Sequence, residues 1–103
     1  MSVITDVVII TACYEEAINE FNAILGIMDK RGQQVCRIGN DNDFGGTKVI
    51  STNVYGAAFN YVSPSEIIET AKQVEWKYPR NVVIYIDYEF NDDVIIWTPA
   101  KEL

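Results

Sequence analysis

The sequence predicts a single α+β domain spanning residues 1–103, with two amphipathic helices on one face of an antiparallel sheet. Three observations carry this. Short β-branched and aromatic runs recur at Val3–Thr11, Val54–Val62 and Val82–Ile86. Between them lie two stretches in which apolar residues return at helical spacing. Clusters of glycine, asparagine and aspartate separate these elements. Hydrophobic residues make up 49% of the 103-residue chain, enough for one core and too short for two domains.

The first strand, Val3–Thr11, is nearly continuously apolar, which predicts a central strand buried on both faces. A helix follows over Tyr14–Gly26, with Ala17, Ile18, Phe21, Ile24, Leu25 and Met28 on one face. Glu15 and Glu16 are placed in its first turn, complementing the positive end of the helix dipole. Gly26 stands near its end, and Asp29–Gly32 reads as a turn.

Gln34–Ile38 is a second strand, and Gly39–Gly46 is the strongest loop signal in the chain. In the third strand, Val54–Val62, alternation places Tyr55, Ala57, Phe59 and Tyr61 on one side. Gly56 within it predicts a bulge or a close approach.

Ser63-Pro-Ser-Glu66 combines an N-cap serine, a proline at N1 and a glutamate at N3. The helix that follows carries Ile67, Ile68, Ala71, Val74 and Tyr78 on one face and is expected to stop at Pro79. A fourth strand at Val82–Ile86 runs through Asp87-Tyr-Glu-Phe90 into a turn at Asn91–Asp93. Val94–Thr98 returns as a hairpin strand.

The element order is βαββαβ plus a terminal strand, and right-handed crossovers favour a split arrangement. On that order the chain resembles the ferredoxin-like βαββαβ sandwich with an extra C-terminal hairpin strand. That fold hosts many unrelated activities and implies no function by itself.

Charge narrows the partners. Fifteen acidic residues against eight basic ones give a net charge of −7. This field repels phosphate backbones and anionic membranes and attracts basic proteins. Two separated cysteines, Cys13 and Cys36, form no disulfide framework, so a reducing, cytoplasmic location is expected. The apolar runs are too short to span a bilayer, and the first ten residues do not read as a signal peptide.

Chemistry is sparse. Histidine is absent, which removes the commonest general base and metal ligand. Cys13 lies where a helix dipole could activate a thiol, but adjacent glutamates oppose a thiolate. Both cysteines are therefore expected to be packed inside. Asp41-Asn-Asp-Phe-Gly45 imitates the start of a calcium loop, but Thr52 replaces the twelfth-position glutamate, so no metal is expected. Gly45-Gly-Thr-Lys48 lacks the spacing of a phosphate loop.

Tyr55–Val62 resembles the aromatic third strand of RNA-recognition domains at Gly56, Ala58 and Phe59. It departs from that pattern at Tyr55, Ala57, Asn60 and Val62. With a net charge of −7, the strand is not expected to stack on RNA.

The segment Asn81–Ala100 holds four acids and no base. Its carboxylates Asp87, Glu89, Asp92 and Asp93 lie near Tyr85, Tyr88 and Trp97, the mixture of a surface for a basic protein. Asp41 and Asp43 form a second acidic arm. These nine residues are the expected partner site. The expected function is a non-catalytic protein, without cofactor, that inhibits or neutralises a basic partner, as toxin-immunity proteins and phage inhibitors do. The alternative is a small dimeric ferredoxin-like enzyme or ligand-sensing domain, with Tyr55, Asn60, Tyr61 and Cys13 lining its pocket.

Overall fold

In the computed structural model, residues 3–13, 15–28, 34–38 and 52–99 are described. The strands are β1 (Ile4–Ala12), β2 (Cys36–Arg37), β3 (Thr52–Asn60), β4 (Val83–Tyr88) and β5 (Ile95–Trp97). The helices are α1 (Ile18–Met28) and α2 (Pro64–Gln73). All five strands form one sheet in the order β2-β3-β1-β4-β5, and every neighbouring pair is antiparallel. The described residues thus form an α+β fold with five antiparallel strands and two α-helices.

β1 is the central strand, pairing β3 on one side and β4 on the other. Its burial alternates: Thr5, Val7, Ile9 and Thr11 are buried, while Asp6 and Ile10 are exposed. The expectation of burial on both faces is therefore corrected. The helices cover only one face, and an antiparallel sheet leaves the other open to water. On the covered face Val7, Ile9, Phe59, Ile84 and Ile86 pack against Ile18, Phe21 and Leu25 of α1 and Ile67 and Ala71 of α2.

α2 starts as its sequence dictates. The Ser63 hydroxyl accepts the Glu66 N–H at 3.3 Å, and the Glu66 carboxylate accepts the Ser63 N–H at 3.0 Å. The helix ends at Gln73 rather than at Pro79, which instead opens a 3₁₀ turn over Pro79–Asn81. Trp76 occupies the intervening stretch, donating its indole N–H to the Ala71 carbonyl at 3.0 Å and packing 6.3 Å from the Phe21 ring.

α1 begins at Ile18, later than expected, because Glu15 is used elsewhere. Its buried carboxylate accepts the N–H groups of Ala17 at 3.3 Å, Lys77 at 3.0 Å and Tyr78 at 2.8 Å. That set joins the β1–α1 connection to the segment after α2. Asn22 makes a similar clamp, exchanging two hydrogen bonds with the Val35 backbone at 3.0 and 3.1 Å.

β3 ends at Asn60. Tyr61 has φ 63, is exposed, and donates its N–H to Val3 at 2.9 Å. The left-handed residue breaks the alternation, so Tyr61 leaves the row of Tyr55, Ala57 and Phe59 while Val62 turns back into the core. Both cysteines are free and exposed, which corrects the expectation of packed thiols. Cys13 follows the last residue of β1, and Cys36 lies in the exposed two-residue strand β2 at the sheet edge. No helix among the described residues is long and apolar enough to cross a membrane.

Candidate functional site

The uncovered sheet face gathers the even-numbered side chains of β1. Direct pairing puts opposed residues on the same side of a sheet. Val8 therefore shares this face with Gly56 and Tyr85, Ile10 with Val54 and Val83, and Tyr85 in turn with Ile96. Ile38 completes it from the β2 edge, because its Cδ1 lies 2.7 Å from where a Cβ on Gly56 would stand. The close approach expected at Gly56 is this side chain, lying across the strand.

Exposure here is high for such residues: 36% at Ile10, 53% at Ile38 and 51% at Ile96. Antiparallel sheets with one wet face normally place polar residues there. A contiguous exposed apolar patch marks an interaction surface more often than chance.

One end of the face is acidic. Asp6 and Asp87 stand directly opposite one another on β1 and β4. Like charges in that position repel, with Cβ atoms about 5 Å apart. Among the described residues neither carboxylate has a hydrogen-bond or ion-pair partner. Glu89, beyond the end of β4, accepts the Ile4 N–H at 2.9 Å and donates its own N–H to the Ile4 carbonyl at 3.1 Å.

The expected site residues fall into four groups. Tyr85 and Asp87 lie on the open face. Glu89, Asp92 and Asp93 are exposed where β4 leaves the sheet. Tyr88 and Trp97 belong to the covered face, since they pair with buried Thr5 and Ile84. Tyr88 is half-buried and stacks edge-on to exposed Phe90 at 5.8 Å, whereas Trp97 is 8% exposed and supplies core rather than surface. Asp41 and Asp43 lie outside the described residues, as does the calcium-like loop that contains them.

Sequence reasoning missed Asp6, Val8, Ile10, Ile38 and Ile96. The signal was Asp6 itself: an aspartate midway along an apolar strand is incompatible with two buried faces.

The aromatic side of β3 faces the helices. Tyr55 and Phe59 belong to the core and its margin, so the resemblance to an RNA-stacking strand does not extend to an exposed aromatic platform. The alternative pocket residues are spread out. Cys13 is at the Asn53 end of β3, its carbonyl accepting the Asn53 amide at 3.1 Å, while Asn60 at the other end accepts the Val3 N–H at 3.1 Å. Those ends are about 23 Å apart at the usual rise of a strand.

A separate cleft of about 380 Å³ lies between the end of α2 and β5, lined by Ala71, Val74, Trp76, Trp97 and Pro99 with Lys72 and Glu75 at hand. The Trp97 indole N–H is buried and has no hydrogen-bond partner. No cluster of three or more metal-ligating side chains occurs among the described residues.

Comparison with protein-family models, with curated proteins and with solved structures finds no match to this chain.

Proposed function

We propose that this chain is a non-catalytic binding protein that inhibits or neutralises a basic partner protein, in the manner of toxin-immunity proteins and phage inhibitors. The docking surface in this reading is the open sheet face. The observation that carries it is the unpartnered Asp6–Asp87 pair at the end of an exposed apolar patch. Repelling carboxylates weaken the free sheet, and a cation seated between them removes the repulsion. Tyr85 supplies contact area, while Glu89, Asp92 and Asp93 steer encounter from the rim.

The strand order β2-β3-β1-β4 supports a ferredoxin-like βαββαβ sandwich, with β5 added outside β4. Free, exposed thiols suit a reducing cytoplasm.

The test is capture from the native host on immobilised chain. A basic protein is expected, released by salt and lost when Asp6→Asn and Asp87→Asn are combined. Capture that ignores both carboxylates would overturn the reading. A ligand-sensing function is favoured by the Trp76–Trp97 cleft and its unpaired indole N–H. Thermal stabilisation by a metabolite, abolished by Trp97→Phe, is the result that would support it.

A further inference from the structure

Resting on the docking reading above, we infer that the occupant of the open face is an amphipathic helix of the basic partner, lying along β1 with an arginine over Asp6 and Asp87. The sheet edges argue against strand addition. Among the described residues β2 spans two positions and β5 three, so neither offers a long ladder of free backbone groups there. The face itself presents side chains only. A segment laid on it must satisfy its own backbone hydrogen bonds, and a helix does so within one short stretch of chain.

The dimensions agree. Three adjacent strands, β3, β1 and β4, give a platform about 14 Å wide, and a helix with its side chains is about 10 Å across. From Asp6 to Ile10 along β1 is about 13 Å, the length of between two and three helical turns. Apolar residues on successive turns would meet Val8 and Ile10, flanked by Ile38 on one side and Ile96 on the other. The next turn toward the acidic end would meet Asp6 and Asp87.

Arginine fits that end better than lysine. Its planar guanidinium offers five N–H donors to two carboxylates and sheds water more readily than an ammonium. A second copy of this chain fits poorly. Its net charge is also −7, and its own open face would bring another unpartnered carboxylate pair to the interface.

The experiment titrates synthetic peptides into the full chain and follows backbone and methyl NMR signals. The parent peptide, about sixteen residues long so that an isolated helix can form, carries leucines along one face and an arginine at one end of it. Its companions replace that arginine with glutamate, scramble the order at constant composition, or place a proline at the centre. The parent is expected to shift Val8, Ile10, Tyr85 and Ile96 and to leave α1 and α2 in place. Each companion is expected to bind roughly tenfold more weakly or worse. Combining Asp6→Asn with Asp87→Asn in the chain should weaken the parent by a similar factor.

The inference is overturned if the parent leaves the face unshifted at millimolar concentration, if shifts centre on the helices, or if the scrambled and proline peptides bind equally well. Sedimentation showing that the chain self-associates through Ile10 and Ile96 would overturn it as well. If capture of a basic protein still requires Asp6 and Asp87 while the helical peptides fail, the docking reading stands without the helix. If capture ignores those carboxylates, the docking reading itself fails.

Discussion

Asp6 faces Asp87 across a strand pair, and neither carboxylate has an ion-pair partner among the described residues, so like charges sit directly opposite one another. Asp6→Asn is therefore expected to stabilise the free protein by up to about 1 kcal/mol in denaturant titration, while weakening capture of the partner. A substitution that gains stability and loses binding is the signature of a functional site. Glu15 shows the opposite behaviour. Its buried carboxylate holds three backbone N–H groups, and Glu15→Ala leaves the Lys77 and Tyr78 donors unpaired. A loss of about 2–4 kcal/mol is expected, a large share of the roughly 5–15 kcal/mol typical of a domain. Trp97 carries a buried donor with no acceptor. Trp97→Phe removes that unmet donor along with some volume, so its cost is expected to stay within about 1 kcal/mol, against several for Trp97→Ala.

At the scale of elements, legibility followed how local the determining interactions are. The α2 start was readable because Ser63, Pro64 and Glu66 fix it within one turn. Ser63→Ala is expected to cost about 1 kcal/mol, measurable by thermal unfolding. Its end was misplaced at Pro79 because Trp76 bonds back to Ala71 from outside the helix, a tertiary contact invisible in the spacing. The α1 start was misplaced for a similar reason, since Glu15 is committed to residues more than sixty positions away. β1 was readable as a central strand but not as a one-faced one. Its even positions are also mostly apolar, so periodicity alone could not separate a buried face from a sticky one. The cysteines were misjudged because residue type predicts burial only on average. Both are expected to react with a thiol reagent in the native state at similar rates to those in denaturant.

For the molecule as a whole, the net charge and the open face act in opposite directions. A net charge of −7 strains the compact state by self-repulsion. Moderate salt is therefore expected to raise the unfolding midpoint while it weakens partner binding, two trends separable by thermal scans and by affinity measured across the same salt series. The α+β class, one antiparallel sheet with two helices, was legible from the alternation of strand-like and helical segments along the chain. The site was legible only in part. Tyr85 and Asp87, expected from local composition, lie on the open face. Asp6, Val8 and Ile10 needed the register of β1 against β3 and β4, which sets residues from three distant segments side by side.

The most direct test is methyl NMR of the full chain with and without any basic protein that the immobilised chain recovers from the native host. Broadening or shifts at Val8, Ile10, Val54 and Ile96, with Ile67 and Leu25 unchanged, is the expected result. Shifts confined to α1, α2 or the Trp76–Trp97 cleft would contradict the assignment of the open sheet face as the docking surface.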